Sequence, residues 1–86
     1  MNLKKIIGSR ITQARKANRL TIKELGSRTN LVATRIGNWE QGTRTPGPEE
    51  AKILSKELKV AASWLLCITD NPQGEWIDSV ILLEVR

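Results

Sequence analysis

Between Thr21 and Gly42 the chain reads TIKELGSRTNLVATRIGNWEQG, and start, turn and stop signals for two short helices follow one another with almost no residue left over. Thr21 and Glu24 make a T-x-x-E capping box, in which the hydroxyl accepts the Glu24 amide and the carboxylate reaches back to the Thr21 amide. A helix over about Ile22–Thr29 follows. Asn30, a residue that tolerates the left-handed conformation, turns the chain. A second helix over about Val32–Gln41 carries Ile36 and Trp39 on one face, and Gly42 is its left-handed stop. Gly37 is the anomaly, because an interior helix glycine costs about 1 kcal/mol relative to alanine. Three readings are open: close approach of the backbone to a binding partner, close approach to a neighbouring helix, or a tolerated defect.

The flanking sequence is helical too. Ile7, Ile11, Ala14 and Ala17 form one face of a helix over 4–18. After the TRTPGP loop, Pro48 suits the first position of a helix, and Glu49 and Glu50 favour its positive end. Ala51, Leu54 and Leu58 make the inner stripe of that helix. A last short helix spans about 62–68 around Trp64, Leu65 and Leu66, and Asp70, Asn71, Pro72 and Gly74 break the pattern. The expectation is an all-α, compact five-helix bundle over 1–70 with an apolar C-terminal tail over 71–86. The tail, EWIDSVILLEVR, suits a strand through its continuous apolar run and a helix through Trp76, Val80 and Leu83, so periodicity does not decide, though the helical body favours helix.

Composition removes several classes of function. Eighty-six residues suit one domain with a modest core. One cysteine, Cys67, and no histidine exclude an internal disulfide, Cys/His zinc sites and histidine-based catalysis. Glu49, Glu50, Glu57, Asp70, Glu75, Asp78 and Glu84 show no catalytic spacing, so an enzyme is not expected, nor is a cofactor, a metal or a small-molecule ligand. With no signal peptide and no 18-residue apolar run, a soluble cytoplasmic protein without membrane contact is expected. Residues 1–46 carry ten lysines and arginines against two carboxylates, whereas residues 47–86 carry four against seven. Such a split suits a polyanion bound by the first half, or a solvated basic surface. Trp39, Trp64 and Trp76 read as core or interface, and without Phe or Tyr there is no aromatic platform for single-stranded nucleic acid.

Two short helices joined by a tight turn invite comparison with a helix-turn-helix. That motif needs a small residue inside its first helix, a turn residue allowing positive φ, and apolar anchors after it. Gly26, Asn30, and Leu31 with Ile36 and Trp39 fill these positions. With the I-x-x-W-E-x-G-x-x-x-P pattern of Ile36, Trp39, Glu40, Gly42 and Pro46, and V-x-x-x-W-L-L from Val60 to Leu66, the chain resembles the phage repressor/Cro (xenobiotic-response-element type) helix-turn-helix family over about residues 6–68. The resemblance implies a lambda-repressor-like five-helix bundle that binds double-stranded operator DNA as a homodimer, its recognition helix in the major groove. Val32, Ala33, Thr34 and Asn38 then face the bases. Thr34 and Asn38 suit hydrogen bonds to base edges, and Ala33 and the Thr34 methyl suit a thymine methyl. Arg15 and Glu40 match a structural salt bridge between the first helix and the end of the third. Thr21, Arg10, Lys23, Arg35, Gln41 and Arg44 are candidates for the DNA backbone, as is Arg28, although surface cations are often only solubility groups.

Departures from the family pattern bear on contacts and stability. Ile22 stands where a backbone-contacting Gln is common, leaving the amides of that helix for phosphate. Asn30 and Lys59 replace turn glycines. Val32 and Ala61 stand where Ser or Thr would cap, each costing around 1 kcal/mol. Trp76, Ile77, Val80, Ile81 and Leu83 are expected in a dimer interface, because paired half-sites about 34 Å apart need two recognition helices held symmetrically, the other reading being a monomer that folds the tail back on its own small core. The expected function is a sequence-specific transcriptional regulator, with repression favoured. The alternative is an antitoxin-like or other protein-interaction module on the same fold.

Overall fold

Five helices follow one another in the structure, a computed structural model that describes residues 2–74: α1 Leu3–Ala17, α2 Ile22–Thr29, α3 Ala33–Gln41, α4 Pro48–Leu58 and α5 Ala62–Leu65. No strand occurs among the described residues. The core gathers Ile7, Ile11 and Ala14 of α1, Leu20, Leu25 of α2, Ile36 and Trp39 of α3, Leu54 and Leu58 of α4, and Trp64 and Leu65 of α5. Each of these sits on the inner stripe of its helix or at the approach to it, so the bundle closes around one apolar centre. No helix among the described residues is long and apolar enough to cross a membrane.

The ends of the helices are set by local chemistry. Asn2 caps α1, its Oδ1 accepting the Lys4 amide at 2.9 Å. At the other end of α1, Asn18 donates through Nδ2 to the carbonyls of Ala14 and Leu58, at 2.8 and 3.0 Å, and so ties α1 to the end of α4. The box at α2 is formed, with the Glu24 amide 3.0 Å from the Thr21 hydroxyl and the Thr21 amide 2.9 Å from the Glu24 carboxylate. The bond from the Thr21 amide, with the Thr21 side chain beside it, holds the Glu24 carboxyl below its ordinary range. Asn30 is left-handed at φ 61°, and a Cβ on Gly26 would lie 2.9 Å from the Leu31 carbonyl oxygen, so the turn closes against a bare backbone. Lys59 ends α4 at φ 63° without glycine.

One helix is shorter than its sequence suggests. Expected over about 62–68, α5 stops at Leu65. Cys67 turns left-handed at φ 64°, and the Ile68 amide then folds back to the Ser63 carbonyl at 2.8 Å. Arg10 donates to the Trp64 carbonyl at 2.6 Å, beside the Cys67 amide at 3.1 Å. An uncapped start at Ala61 and a clamped end leave the helix little more than one turn. Its first turn is joined to the segment beyond it, the Ala61 amide donating to the Pro72 carbonyl at 2.8 Å. The tail residues Trp76, Ile77, Val80, Ile81 and Leu83, the choice between helix and strand, and the expected dimer interface all lie outside the described residues.

Two helix glycines have opposite surroundings. A Cβ on Gly8 would fall against the Trp39 carbonyl oxygen and within 2.6 Å of that of Glu40, so α1 and α3 cross backbone to backbone there. A Cβ on Gly37 would meet nothing within 4 Å. Among the described residues no neighbouring helix approaches the Cβ position of Gly37, and that reading of it is withdrawn. Gly8→Ala is therefore expected to destabilise by about 1–3 kcal/mol despite alanine's better helix propensity. Gly37→Ala should stabilise by about 0.5–1 kcal/mol. Urea unfolding of the two variants checks both signs.

Candidate nucleic-acid interface

The end of α3 is fastened to α1 by charge. Arg15 Nε donates to Glu40 Oε2 at 2.7 Å and Nη2 to Oε1 at 3.0 Å, a two-bond fork. The third donor, Nη1, reaches the Leu20 carbonyl at 2.7 Å. The Thr12 hydroxyl donates to Glu40 Oε1 at 2.9 Å. Both charged side chains are largely buried, at 12 % and 9 % exposure. The Glu40 hydrogen bond raises the Arg15 pKa above its ordinary value, against the opposing effect of burial. Gly8, Thr12 and Arg15 recur at spacings of four and three on one face of α1, which is the signal that marks them as a single docking surface. The first and second of these were missed in the sequence.

With Ile36 and Trp39 held inward, helical geometry turns Thr34, Asn38 and Gln41 outward and sets Ala33 and Gly37 beside them. Thr34 and Gln41 are exposed, and Ala33 and Asn38 are half-buried. Val32, at the N-cap, is 63 % exposed. Among the described residues the side-chain polar atoms of Thr34, Asn38 and Gln41 make no hydrogen bond. The Asn38 carbonyl is occupied instead. It accepts the Thr43 amide at 3.1 Å, the Thr43 hydroxyl at 3.0 Å and the Arg44 amide at 3.4 Å. These bonds seat the loop that carries Arg44 against the end of α3, a role for Thr43 that nothing in the residue pattern marks.

The candidate phosphate partners separate into groups. Lys23 and Arg44 are exposed and make no ion pair among the described residues. Arg35 is exposed but paired, its Nη1 2.8 Å from Glu50 of α4, and Arg28 similarly meets Glu57 at 3.3 Å. Such surface pairs are weak and leave both guanidiniums able to turn to another anion. Thr21 is exposed, with its hydroxyl already accepting in the capping box. The same box sets the Glu24 carboxylate at the start of α2, so that helix end already faces a negative charge.

Arg10 is a correction. Expected at the DNA backbone, its side chain is only 16 % exposed and bonds inward. It donates to the carbonyls of Trp64 and Thr69, at 2.6 and 2.8 Å, and to the Asp70 carboxylate at 2.9 Å. It also lies over the Trp64 ring, 5.1 Å from its centre. Its task is to close the C-terminal end of α5. Among the described residues no group of three His, Cys, Asp or Glu is placed to hold a metal ion.

A family model described as a helix-turn-helix domain matches residues 8–68. The chain is also 29 % identical over 63 residues to the uncharacterized HTH-type transcriptional regulator YobD of Bacillus subtilis (strain 168). That match covers 73 % of this chain and 56 % of the relative, so the chain spans little more than half of that protein's length. No solved structure matches it.

The clamp between α1 and α3 yields a direct expectation. Arg15→Met and Glu40→Gln should each destabilise by about 3 kcal/mol, because each strands a buried partner. The double variant should cost clearly less than the two losses added together. A double-mutant cycle on urea unfolding reads the coupling, and additive losses would make the two residues independent.

Proposed function

The chain belongs to the XRE/Cro-type family of helix-turn-helix domains, and from that premise we propose that it is a sequence-specific double-stranded DNA-binding transcriptional regulator, acting in the cytoplasm as a homodimeric repressor. The observation that carries this reading is the outer face of α3. Thr34, Asn38 and Gln41 keep their hydrogen-bonding groups free among the described residues, on the half of the chain where basic residues outnumber acids ten to two. An α-helix of this width fits the major groove, and a side-chain amide there has the donor and acceptor needed for adenine N7 and N6. Val32, Ala33, Thr34 and Asn38 face the bases in this reading. Lys23 and Arg44 meet phosphates on either side, with Arg35, Thr21 and Gln41 at the margin. Phosphate contacts fix register and base contacts select sequence.

A homodimer follows from the geometry of paired half-sites, since one short helix covers only a few base pairs and symmetric recognition needs two. The tail residues Trp76, Ile77, Val80, Ile81 and Leu83 are the proposed contact between copies. Repression by occlusion is the simplest outcome for a domain of this size.

The two kinds of contact give different mutational signatures. Asn38→Ala should weaken binding to the preferred duplex by about 1–3 kcal/mol and relax selection at one base position. Arg44→Ala should weaken all duplexes evenly and lower the slope of log K against log salt by about 1. Selection from random duplexes, followed by fluorescence anisotropy over a salt series, measures both. An Asn38→Ala protein with unaltered affinity and preference would remove α3 from the bases.

A further inference from the structure

Val32 occupies a position where its side chain serves neither the helix nor the core. It is the N-cap of α3, with φ −70° and ψ 128°, and it makes no side-chain capping bond. Ser, Thr, Asp or Asn would stabilise the helix there. Nor does Val32 compensate by burial, since 63 % of it is exposed while Ile36 and Trp39 on the same helix are buried. Ala33 and Thr34 follow directly, and the Thr34 side chain ends in a methyl beside its hydroxyl. The leading end of α3 is thus an apolar step, and the open space at Gly37 continues it without a side chain. A residue that breaks the local rule without a structural gain points to function.

We infer that Val32, with Ala33 and the Thr34 methyl, seats against thymine 5-methyl groups, so that the step of the half-site under the start of α3 is read as A·T. The inference rests on the DNA-binding reading above. In the major groove the 5-methyl of thymine is the apolar feature that an aliphatic side chain can distinguish. In that reading the base-facing positions Val32, Ala33, Thr34 and Asn38 supply no cation for the usual fork onto guanine. Arg35, the basic residue within α3, is turned to Glu50. The backbone at Val32 is that of an ordinary cap, so a smaller polar residue fits without strain.

The test uses the full 86-residue chain and its preferred duplex selected from a random pool. Each thymine is replaced singly by deoxyuridine, which removes the 5-methyl and leaves every hydrogen-bonding group in place. At one or two thymines per half-site the affinity should fall about fourfold, the value of one buried methyl. Val32→Ser should abolish that fall at one of them while raising the melting temperature through the new cap, so lost folding is not the cause. Val32→Thr, which retains one methyl, should keep part of it. Uracil accepted everywhere without loss, or a penalty unchanged in Val32→Ser, overturns the inference. If Asn38→Ala still relaxes the site in that case, the DNA-binding reading stands and this one alone falls. If no duplex is preferred, both fall.

Discussion

The ion pair between Arg15 and Glu40 is the constraint on which the presentation of α3 depends. On its own α3 is nine residues long, uncapped at its start and interrupted by Gly37, and a helix of that length is not stable in water. Tertiary contacts hold it, and the largest polar one is the fork from Arg15 to the last turn. Gly8 allows the two backbones to meet closely enough for that fork to form, and Thr12 occupies the remaining lone pair of Glu40 Oε1. A buried pair of this kind contributes little net stability compared with an apolar substitute. Its value is positional. It fixes the rotation of α3, and rotation decides which residues face outward.

A second layer of charge divides the arginines by task. Arg10 and Arg15 are drawn inward, one closing α5 and the other holding α3. Arg28 and Arg35 are tied to Glu57 and Glu50 of α4, so the acidic second half of the chain neutralises part of the basic first half. Lys23 and Arg44 remain free of ion pairs among the described residues. A count of positive charge therefore overstates the surface available to a polyanion. Arg44 is further ordered by the Asn38 carbonyl, so one backbone group links α3 to the loop that follows it.

Local chemistry made much of this legible in advance. The Thr21–Glu24 box, left-handed Asn30, the stop at Gly42 and Pro48 at the start of α4 each follow from what those side chains can do over a few residues. What was not legible depends on partners distant in the chain. Arg10 looks like any basic residue on a helix until the carbonyls of Trp64 and Thr69, more than fifty residues away, are brought to it. Gly8 looks like a weak point in a helix until the Trp39 and Glu40 carbonyls lie over it. The early end of α5 turns on Cys67 adopting a positive φ, which no propensity of cysteine announces. On the outer face of α3, positions followed from helical period alone, whereas the open space at Gly37 and the exposure of Val32 required the fold.

The central claim is that α3, fixed in rotation by the clamp on α1, presents its outer face to duplex DNA. Titration of the isotopically labelled chain with a short duplex at low salt, followed by amide chemical shifts, tests it most directly. The account predicts that saturable shifts gather at residues 32–38, at residues 43–44 and around Lys23, while the solvent face of α4 near Lys52 and Lys56 stays unchanged. Shifts centred on α4 and α5 with α3 unaffected would contradict it.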